Sequence, residues 1–356
     1  MIRRFTASNF RCLENIELEL GPEFNLVHGA NASGKTSLLE ALAYLGRGKS
    51  FRGASAMNLI RHGEMDFVLF GETETDGRKR RVGVRNSKDG LEVRVDGDSS
   101  AGVAALAEAL PLQVIDPEVH NLVAGGPEQR RRFLDWIAFH VEHEHLLVWR
   151  RFRRALKQRN AALKARAGAQ TIRSWNAEFV ELGGQLDASR RAALDTALET
   201  LREQGDRLLG TELGFEYQQG WSKDKGLAQA LEEGLERDVQ QGATQHGPHR
   251  ADLRVAYDER QARKLVSRGQ QKLLASAMIL AATETAQAAL ERPLLLLLDD
   301  PAAELDGESL ARLLDSVLRL GCQVVATSLA KNALDVPAGT RVFHVEQGVL
   351  TPESAA

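Results

Sequence analysis

Cysteine is scarce in this chain of 356 residues, which contains only Cys12 and Cys322. Two cysteines so far apart give neither the paired spacing of a metal site nor a disulfide framework. Long apolar runs are also missing: the longest, Pro293–Leu298, is far too short to cross a bilayer, and the N-terminus has no run of signal-peptide length. We therefore expect two reduced cysteines that serve packing, a cytoplasmic protein and no membrane partner.

A basic excess is missing as well, because the formal net charge at pH 7 is -3. Binding to nucleic acid would therefore depend on local patches. One such patch is Trp149–Arg166, which is rich in arginine and lysine and contains no acid. Its apolar residues follow a helical period, so one stripe packs and the rest presents positive charge. Two interpretations stay open: a solvated basic face, or a surface that contacts DNA phosphates through Arg150, Arg151, Arg154 and Lys157.

The order of patterns along the chain indicates an α/β fold with an insertion. Strand and turn patterns fill roughly the first hundred residues, and "DFVLFGETE", "RRVGVRN" and "LEVRVDG" favour an antiparallel meander. Residues 127–209 have a long helical pattern, after which strands and helices alternate again. We predict an α/β head with a mixed sheet and a β meander, built from residues 1–115 and 245–356. Residues 116–244 are predicted to form an inserted, mainly helical arm.

A phosphate-binding loop is predicted at "GANASGKTS", which fits the pattern G-x-x-x-x-G-K-[ST]. It follows a strand-like segment and opens an apolar helix, as its mechanism requires. The glycines let backbone N–H groups point at phosphate oxygens, Lys35 reaches the β and γ phosphates, and the Thr36 hydroxyl ligates Mg²⁺. The predicted cofactors are ATP and Mg²⁺. The nucleotide-binding residues would be Gly29, Ala30, Asn31, Ala32, Ser33, Gly34, Lys35, Thr36 and Ser37.

The second half of such a site is predicted at "PLLLLLDD". Its leucines indicate a buried central strand that ends at a carboxylate. Asp299 would hold the metal through its water shell, and Asp300 would orient or deprotonate the attacking water. Together with Lys35, these two carboxylates are the predicted catalytic residues. The plain alternative is that both only cap the next helix.

A second anion site is indicated by "VSRGQQK", where Ser267 and Gly269 precede an apolar helix. A helix N-terminus presents unpaired N–H groups and a positive dipole end. Because the P-loop already holds its own nucleotide, this site must serve another phosphate. In ABC-class ATPases the equivalent signature motif closes on the γ-phosphate bound to the opposite subunit. We therefore predict an ATP-dependent homodimer in which Ser267, Gly269 and Gln270 contact that phosphate, with Asp306 in the D-loop position.

This organisation resembles the SMC-like DNA-repair ATPases, because a helical region separates Lys35 from Asp299. The blocks "SNFRCLENIELEL", "GKSFRG", "IDPEVHNLVAGGPEQRRRFLDWIAFHVE", "GPHRADL", "SRGQQKLL" and "LLLLDDPAAELD" resemble the bacterial recombination mediators of that class. The resemblance implies a clamp that dimerises with ATP on double-stranded and gapped DNA, near single-strand/double-strand junctions, and hydrolyses ATP weakly with DNA stimulation. It also implies RecR, with RecO, as partners in loading RecA at gaps, and a part in replication restart and the SOS response.

Three features depart from the ABC or family pattern. Asp300 stands where many ABC ATPases have glutamate, Thr327 and Ser328 occupy the expected position of a switch histidine, and Ala303 replaces a common serine. Gln113 is a candidate for the Q-loop. Two other functions remain as alternatives. An ABC transporter ATPase subunit would need a membrane partner, and a P-loop small-molecule kinase would not need the signature motif.

Other clusters allow more than one interpretation. In "GPHRADL", His249 and Arg250 either form a motif of undetermined role or belong to a turn in which Arg250 pairs with Asp252. We expect His140, His143 and His145 to be surface residues rather than zinc ligands, because their spacing lacks a cysteine partner. For Arg130, Arg131 and Arg132 we expect a mixture of DNA contacts and pairing with Glu128 and Asp135 along a helix.

Overall fold

The computed structural model describes residues 1–75, 77–99, 102–257, 260–262, 266–303 and 305–353. The strands are β1 Ile2–Phe10, β2 Leu13–Glu19, β3 Phe24–His28, β4 Asp66–Thr75, β5 Arg78–Ser87, β6 Gly90–Val95, β7 Leu112–Ile115, β8 Leu213–Gln218, β9 Asp252–Tyr257, β10 Arg260–Gln261, β11 Leu295–Leu298, β12 Gln323–Ser328, β13 Arg341–Glu346 and β14 Val349–Glu353. The α-helices are α1 Lys35–Arg47, α2 Val103–Ala109, α3 Asn121–Ala124, α4 Pro127–Val141, α5 His145–Lys164, α6 Ala169–Arg173, α7 Asn176–Leu209, α8 Leu227–Glu233, α9 Leu235–Gln241, α10 Arg268–Leu290 and α11 Gly307–Arg319. Short 3₁₀ helices cover Ala56–Leu59, Pro248–Arg250 and Pro301–Ala303.

The chain divides into two compact units. The first contains residues 1–119 and 291–356, and the second contains residues 120–290. This second junction lies after α10, whereas the predicted head resumes at residue 245. The reason is that α10 packs along α7 and α4 within the second unit. The division into head and arm as functional parts stays a prediction.

The first unit contains an antiparallel sheet in the order β2-β1-β4-β5-β6. Its strands alternate: in β1 the residues Ile2, Phe5, Ala7 and Phe10 are buried while their neighbours are more exposed. Such alternation gives a sheet with one face on the core and one face in water. Strands β4, β5 and β6 pair consecutively, so the predicted meander is confirmed.

A second sheet of the first unit determines where a ligand site can form. Its order is β14-β13-β3-β12-β11-β7, and all neighbours except β13 and β14 are parallel. All four residues of β11 are buried, which confirms the predicted central strand. In parallel sheets the carboxyl ends of neighbouring strands meet at one edge, where ligands bind. The P-loop follows β3, Asp116 follows β7 and Asp299 follows β11, so all three come to the same edge. The predicted α/β class, with a mixed sheet and a meander, is confirmed.

The second unit is mainly helical, with a small antiparallel sheet in the order β10-β9-β8. One part of its core contains Phe152 of α5, Phe179, Leu182 and Leu186 of α7, and Leu231 of α8. In the part of the chain that the structure describes, one helix, α10, is long and apolar enough to cross a membrane by length and composition. Its apolar residues are largely buried against α7 and α4, which makes it a core helix of this unit.

Candidate active site

The P-loop connects β3 to α1 in a conformation that needs glycine at two positions. Gly34 has φ 120°, a backbone angle that residues with a side chain rarely adopt. A Cβ at Gly29 would lie 2.2 Å from the carbonyl oxygen of Val345. The hydrogen bond from Leu38 N–H to the Gly34 carbonyl, at 2.9 Å, starts the helix immediately after the loop. The loop therefore lies between strand and helix, as the pattern predicts.

Two side chains of the loop fit a polyphosphate. The buried Lys35 ammonium donates to the carbonyl oxygens of Gly29, at 2.6 Å, and Ala30, at 2.9 Å, so it lies over the loop. The Ser33 hydroxyl is buried without a hydrogen-bond partner among the described residues. Because an unsatisfied buried hydroxyl is costly, a phosphate oxygen that bonded to it would be stabilising. Two of the predicted nucleotide-binding residues, Lys35 and Ser33, thus offer a cation and a hydroxyl from the same loop to a polyphosphate.

The predicted metal ligands, Thr36 and Asp299, come from opposite ends of the chain and meet in the structure. The Thr36 hydroxyl donates to Asp299 Oδ1 at 3.0 Å. Both are oxygen ligands, which suit Mg²⁺, and the ion usually completes its shell with water and substrate phosphates. Within the described ranges no group of three or more His, Cys, Asp or Glu side chains that could hold a metal occurs. Thr36 and Asp299 therefore fit Mg²⁺ bound together with a nucleotide.

The environment of Asp299 acts on its protonation in two directions. Burial raises the pKa of Asp299 above its ordinary value, while hydrogen bonds from Thr36 and Thr327 and the nearby Arg52 oppose the increase. Asp299 as a residue is only 6% exposed, so little water reaches the carboxylate and the two hydroxyls dominate its surroundings. A bound cation would favour the charged form further.

Thr327 bonds the Asp299 carboxylate and the backbone of Asp300, the two predicted catalytic aspartates. Its hydroxyl accepts the Asp300 N–H at 2.9 Å and lies 3.1 Å from Asp299 Oδ1. Asp300 has φ 49°, in the left-handed region that residues other than glycine adopt rarely. The sequence marked Thr327 only as a departure from a switch histidine, and its bonds to both aspartates were not foreseen.

Neither Asp299 nor Asp300 caps the next α-helix, α11, because Asp306 caps it. The Asp306 carboxylate accepts from Ser309 N–H and from the Ser309 hydroxyl, each at 2.9 Å. Asp306 is exposed at the end of the predicted D-loop. Glu304, within that loop, lies outside the described residues. Contact of Asp306 with a second subunit stays a prediction.

Asp116 lies at this edge but was not predicted as a site residue, although it belongs to the block "IDPEVHNLVAGGPEQRRRFLDWIAFHVE". Ile115 of β7 is paired with Leu298 of β11, and Asp299 N–H donates to the Ile115 carbonyl at 2.9 Å. Burial raises the pKa of Asp116 to about 6, and the negative charge of Asp299 adds to the increase. The available signal was a carboxylate directly after the short apolar segment that ends at Ile115. Finding it required knowing that β7 lies beside β11.

Gln113 occupies the middle of β7 rather than the carboxyl edge. Its amide oxygen accepts from Arg47 at 2.9 Å, and the residue is 5% exposed. Burial, the main influence on Arg47, lowers its guanidinium pKa to about 10, so it remains a cation at neutral pH. Because its amide is engaged inside the unit, the placement argues against the predicted Q-loop role.

The predicted signature residues form the N-terminus of α10 in the second unit. Ser267 Oγ accepts from Gln270 N–H at 3.3 Å, and Gln270 Oε1 accepts from Ser267 N–H at 2.9 Å. These reciprocal bonds form a capping box. All three signature residues are exposed, and a Cβ on Gly269 would meet nothing within 4 Å. The predicted helix start is confirmed, and its contact with another subunit's γ-phosphate stays a prediction.

Comparison with known proteins places this geometry in a family. A family model described as the RecF/RecN/SMC N terminal domain matches residues 1–351. The DNA replication and repair protein RecF of Chromohalobacter salexigens is 40% identical over 360 residues, covering 99% of each chain. That of Cronobacter sakazakii is 38% identical, covering 98% of this chain and 99% of its own. The chain belongs to the RecF family. This membership decides against a transporter ATPase subunit and a small-molecule kinase.

Solved structures show the same fold. A structure described as the recombination mediator protein RecF-ATPrS in the RecFOR pathway has a TM-score of 0.89 at 23% identity, covering 99% of this chain and 98% of that chain. An SMC head bound to the C-winged helix domain of ScpA has a TM-score of 0.58 at 14% identity, covering 99% and 97%. The ABC-type head predicted for this RecF-family chain is confirmed at the level of the fold.

The RecF-family chain presents the predicted basic surface on α5. Phe152, Ala155 and Leu163 are buried. The candidate DNA-binding residues Arg150, Arg151, Arg154 and Lys157 are exposed, and within the described part of the chain none of the four forms an ion pair. Arg159 differs, since it is fully buried and donates to Asp238 at 2.7 Å. The helix therefore has a packed side and an unneutralised positive side.

Each of the three consecutive arginines of α4 has a partner within the second unit. Arg130 pairs with both carboxylate oxygens of Asp252, at 2.7 and 3.1 Å. Arg131 donates to the Ala251 carbonyl at 2.7 Å, and Arg132 pairs with Glu128 one helical turn away. Pairing along the helix is thus confirmed for Arg132. Arg130 and Arg131 instead hold the segment after the "GPHR" residues.

Within "GPHRADL", the half-buried His249 is held by a backbone carbonyl. His249 Nε2 lies 2.9 Å from the Thr244 carbonyl, and burial lowers the pKa of His249 to about 4. Arg250 is exposed and donates to Gln245 Oε1 at 3.0 Å. The alternative in which Arg250 pairs with Asp252 is wrong, because Arg130 pairs with that carboxylate.

Two further expectations are corrected. His145 is 3% exposed, with Nδ1 2.8 Å from Ser189 Oγ and Nε2 3.5 Å from Asp135, so it is not a surface residue. Cys322 is buried as expected, but Cys12 is exposed, and its Sγ lies 3.4 Å from Ser37 Oγ. His145 therefore packs where α5 begins, and Cys12 lies beside the helix that follows the P-loop.

Proposed function

We propose that this chain is an ATP-dependent DNA-binding clamp ATPase of recombinational repair. The observation that carries the proposal is the 3.0 Å contact between Thr36 and Asp299, at the sheet edge where the P-loop begins α1. Its relatives are DNA replication and repair proteins, and one structural neighbour is described as RecF-ATP in the RecFOR pathway. The proposed substrate is ATP, and the products are ADP and phosphate.

The P-loop residues bind and orient the triphosphate. Lys35 exchanges its contacts with the loop carbonyls for phosphate oxygens, and the Ser33 hydroxyl gains a partner. Thr36 and Asp299 hold Mg²⁺, which, when bound, neutralises charge that develops on the phosphates. Asp300 orients the attacking water and accepts its proton. Its side chain is one methylene shorter than glutamate, which fits weak, DNA-stimulated hydrolysis.

Dimerisation completes the site. The exposed N-terminus of α10 offers Ser267, Gly269 and Gln270 to the γ-phosphate held by a second copy, and Asp306 contacts that copy. ATP binding closes the homodimer, and hydrolysis opens it. Nucleotide occupancy thereby controls whether DNA is held.

The exposed basic side of α5 binds DNA. Arg150, Arg151, Arg154 and Lys157 contact phosphates, which supplies affinity with little sequence preference. Double-stranded and gapped DNA are the proposed ligands, with preference for single-strand/double-strand junctions. RecR, together with RecO, is the proposed protein partner in loading RecA at gaps. This proposed activity in loading RecA supports replication restart and the SOS response, in the cytoplasm.

Sedimentation of wild type, Lys35→Met and Ser267→Arg, with and without ATP and duplex DNA, tests this proposal. We expect wild type to dimerise with ATP and both variants to stay monomeric. Lys35→Met should lose ATP binding, whereas Ser267→Arg should retain it. A wild-type chain that stays monomeric with ATP and DNA contradicts the clamp. A dimer that survives Ser267→Arg contradicts the role of the α10 N-terminus.

A further inference from the structure

We propose that Thr327 is a positioning residue for ATP hydrolysis, which fixes Asp299 and Asp300 in one arrangement through a single hydroxyl. The inference rests on the proposed ATPase function and adds a residue that the phosphate-loop, Walker B and signature motifs do not contain. The order of strands brings this residue to the site. Strand β12 is parallel to β11, and Ala326 is paired with Leu298, so Thr327 comes beside Asp299.

The hydroxyl of Thr327 makes one contact to each aspartate. Oγ1 accepts the backbone N–H of Asp300 at 2.9 Å. Oγ1 lies 3.1 Å from Asp299 Oδ1 and 3.4 Å from the Leu298 carbonyl oxygen, and the shorter distance favours donation of its hydrogen to the carboxylate. Since a hydroxyl has one hydrogen and two lone pairs, both bonds form at once. Thr327 is fully buried, so water does not replace them.

The bond to Asp300 matters because of that residue's backbone. With φ at 49°, Asp300 occupies a region that must be stabilised by its surroundings. The N–H bond to Thr327 is one such restraint, and it sets the direction in which the Asp300 side chain leaves the chain. Without it, the peptide can relax and move the carboxylate away from the attacking water.

The bond to Asp299 matters for the metal ligand. Asp299 Oδ1 accepts from the hydroxyls of both Thr36 and Thr327, so these two hydroxyls together orient the carboxylate. Groups that bond to a metal ligand fix its orientation, and losing one typically costs about 10- to 100-fold in metal affinity or activity. Thr327 therefore acts on Mg²⁺ binding through Asp299 and on water attack through Asp300.

Two substitutions separate the hydroxyl from the shape of the side chain. Thr327→Val keeps the shape and removes the hydroxyl, and Thr327→Ser keeps the hydroxyl and removes the methyl group. Thr340→Val is the matched control, because Thr340 is also buried in the first unit and its hydroxyl bonds only the nearby Pro337 carbonyl among described residues. Each variant is compared with wild type in single-turnover hydrolysis with DNA. Equilibrium binding of a fluorescent ATP is measured in EDTA and in Mg²⁺, with Tm as a check of folding.

For Thr327→Val we expect hydrolysis to fall by about 10- to 100-fold and Mg²⁺-dependent nucleotide binding to weaken by about tenfold. Binding in EDTA should be unchanged, because Lys35 and the loop are intact. Thr327→Ser should return both quantities to within roughly threefold of wild type, and Thr340→Val should match wild type.

Full hydrolysis by Thr327→Val overturns the proposal, and so does a serine variant as defective as valine, which would assign the role to the methyl group. Equal weakening of binding in EDTA and in Mg²⁺ also overturns it, since that indicates general damage. If the valine variant does not fold, Thr327→Ala takes its place. Absence of hydrolysis by wild type would overturn the ATPase function as well as this role, whereas an unimpaired valine variant overturns the role alone.

Discussion

Two buried aspartates, one in each unit, have opposite kinds of partners. Asp238, fully buried in the second unit, accepts from the Arg159 guanidinium at 2.7 Å and from Gln245 N–H at 2.9 Å. Asp299, nearly buried in the first unit, accepts from the neutral hydroxyls of Thr36 and Thr327. A charge paired with a buried cation stabilises structure. A charge oriented by neutral groups remains able to attract a cation from solution.

The largest expected effect concerns Asp300, beside the second of these aspartates. Asp300→Asn should lower the hydrolysis rate by about 10²- to 10⁴-fold, since it removes a proton acceptor without removing phosphate contacts. ATP-dependent dimerisation should persist, because Lys35 and the P-loop are unchanged. Product formation in a single turnover, together with sedimentation, checks this. An asparagine variant that hydrolyses ATP at the wild-type rate would show that Asp300 is not the base.

Asp238, the aspartate of the second unit, should respond in stability rather than in chemistry. Asp238→Ala leaves the Arg159 guanidinium fully buried without its carboxylate, and losing one partner of a buried pair costs about 3–5 kcal/mol. Denaturant unfolding measures this decrease, and ATP binding should stay at the wild-type level. The matched control is Glu232→Ala, which removes the carboxylate of the exposed pair with Arg173 and should change little. A stable Asp238→Ala chain would remove the contrast between the two aspartates.

The basic side of α5 should affect DNA binding alone. Changing Arg150, Arg154 and Lys157 to glutamate should weaken DNA binding on the order of a hundredfold at low salt. The logarithmic salt slope should fall by about one for each DNA phosphate that the variant no longer neutralises. ATP binding should be unchanged. A control with Arg202, Arg207 and Lys223 changed to glutamate alters the net charge equally on other surfaces. Equal weakening in both variants would indicate a general charge effect rather than an α5 surface.

The smallest predicted effect is a pH dependence confined to stability. Burial lowers the pKa of His145 to about 4, although Asp135 opposes the decrease. Between about pH 6.5, the pKa of histidine in the unfolded chain, and about pH 4, its pKa in the folded chain, only the unfolded chain binds a proton at His145. The free energy of unfolding therefore decreases as the pH falls through this range. At pH 5 the decrease in the free energy of unfolding is about 2 kcal/mol. Unfolding of wild type and His145→Gln from pH 7 to pH 5 checks this. Parallel curves for both chains would contradict it.

The sequence allowed prediction of the parts of the site that lie within one short segment. The P-loop, the buried strand of β11 and the helix start at Ser267 each depend on neighbours a few residues away, so spacing and hydrophobic pattern reveal them. The meander of β4 to β6 was predictable for the same reason. Local signals of this kind are independent of the order in which strands join a sheet.

Residues whose role depends on that order were missed or misassigned. Thr327 and Asp116 reach the site only because β12 and β7 lie on either side of β11. Arg130 pairs with Asp252, which lies 122 residues away in the chain. This pair forms in place of the local pair between Arg250 and Asp252 that the sequence suggested. Long-range pairings of this kind leave no periodic trace in a single sequence.

The order of strands also has a consequence for how the protein is made. Strand β3, which leads into the P-loop, is hydrogen-bonded on both sides to β12 and β13, near the other end of the chain. At typical rates of synthesis, tens of seconds separate the appearance of these partners from that of β3. During that interval β3 lacks both of its sheet neighbours. The P-loop residues are already synthesised, but the sheet edge that holds them has not yet formed. The proposed nucleotide can therefore stabilise this unit only after β12 and β13 have also been synthesised.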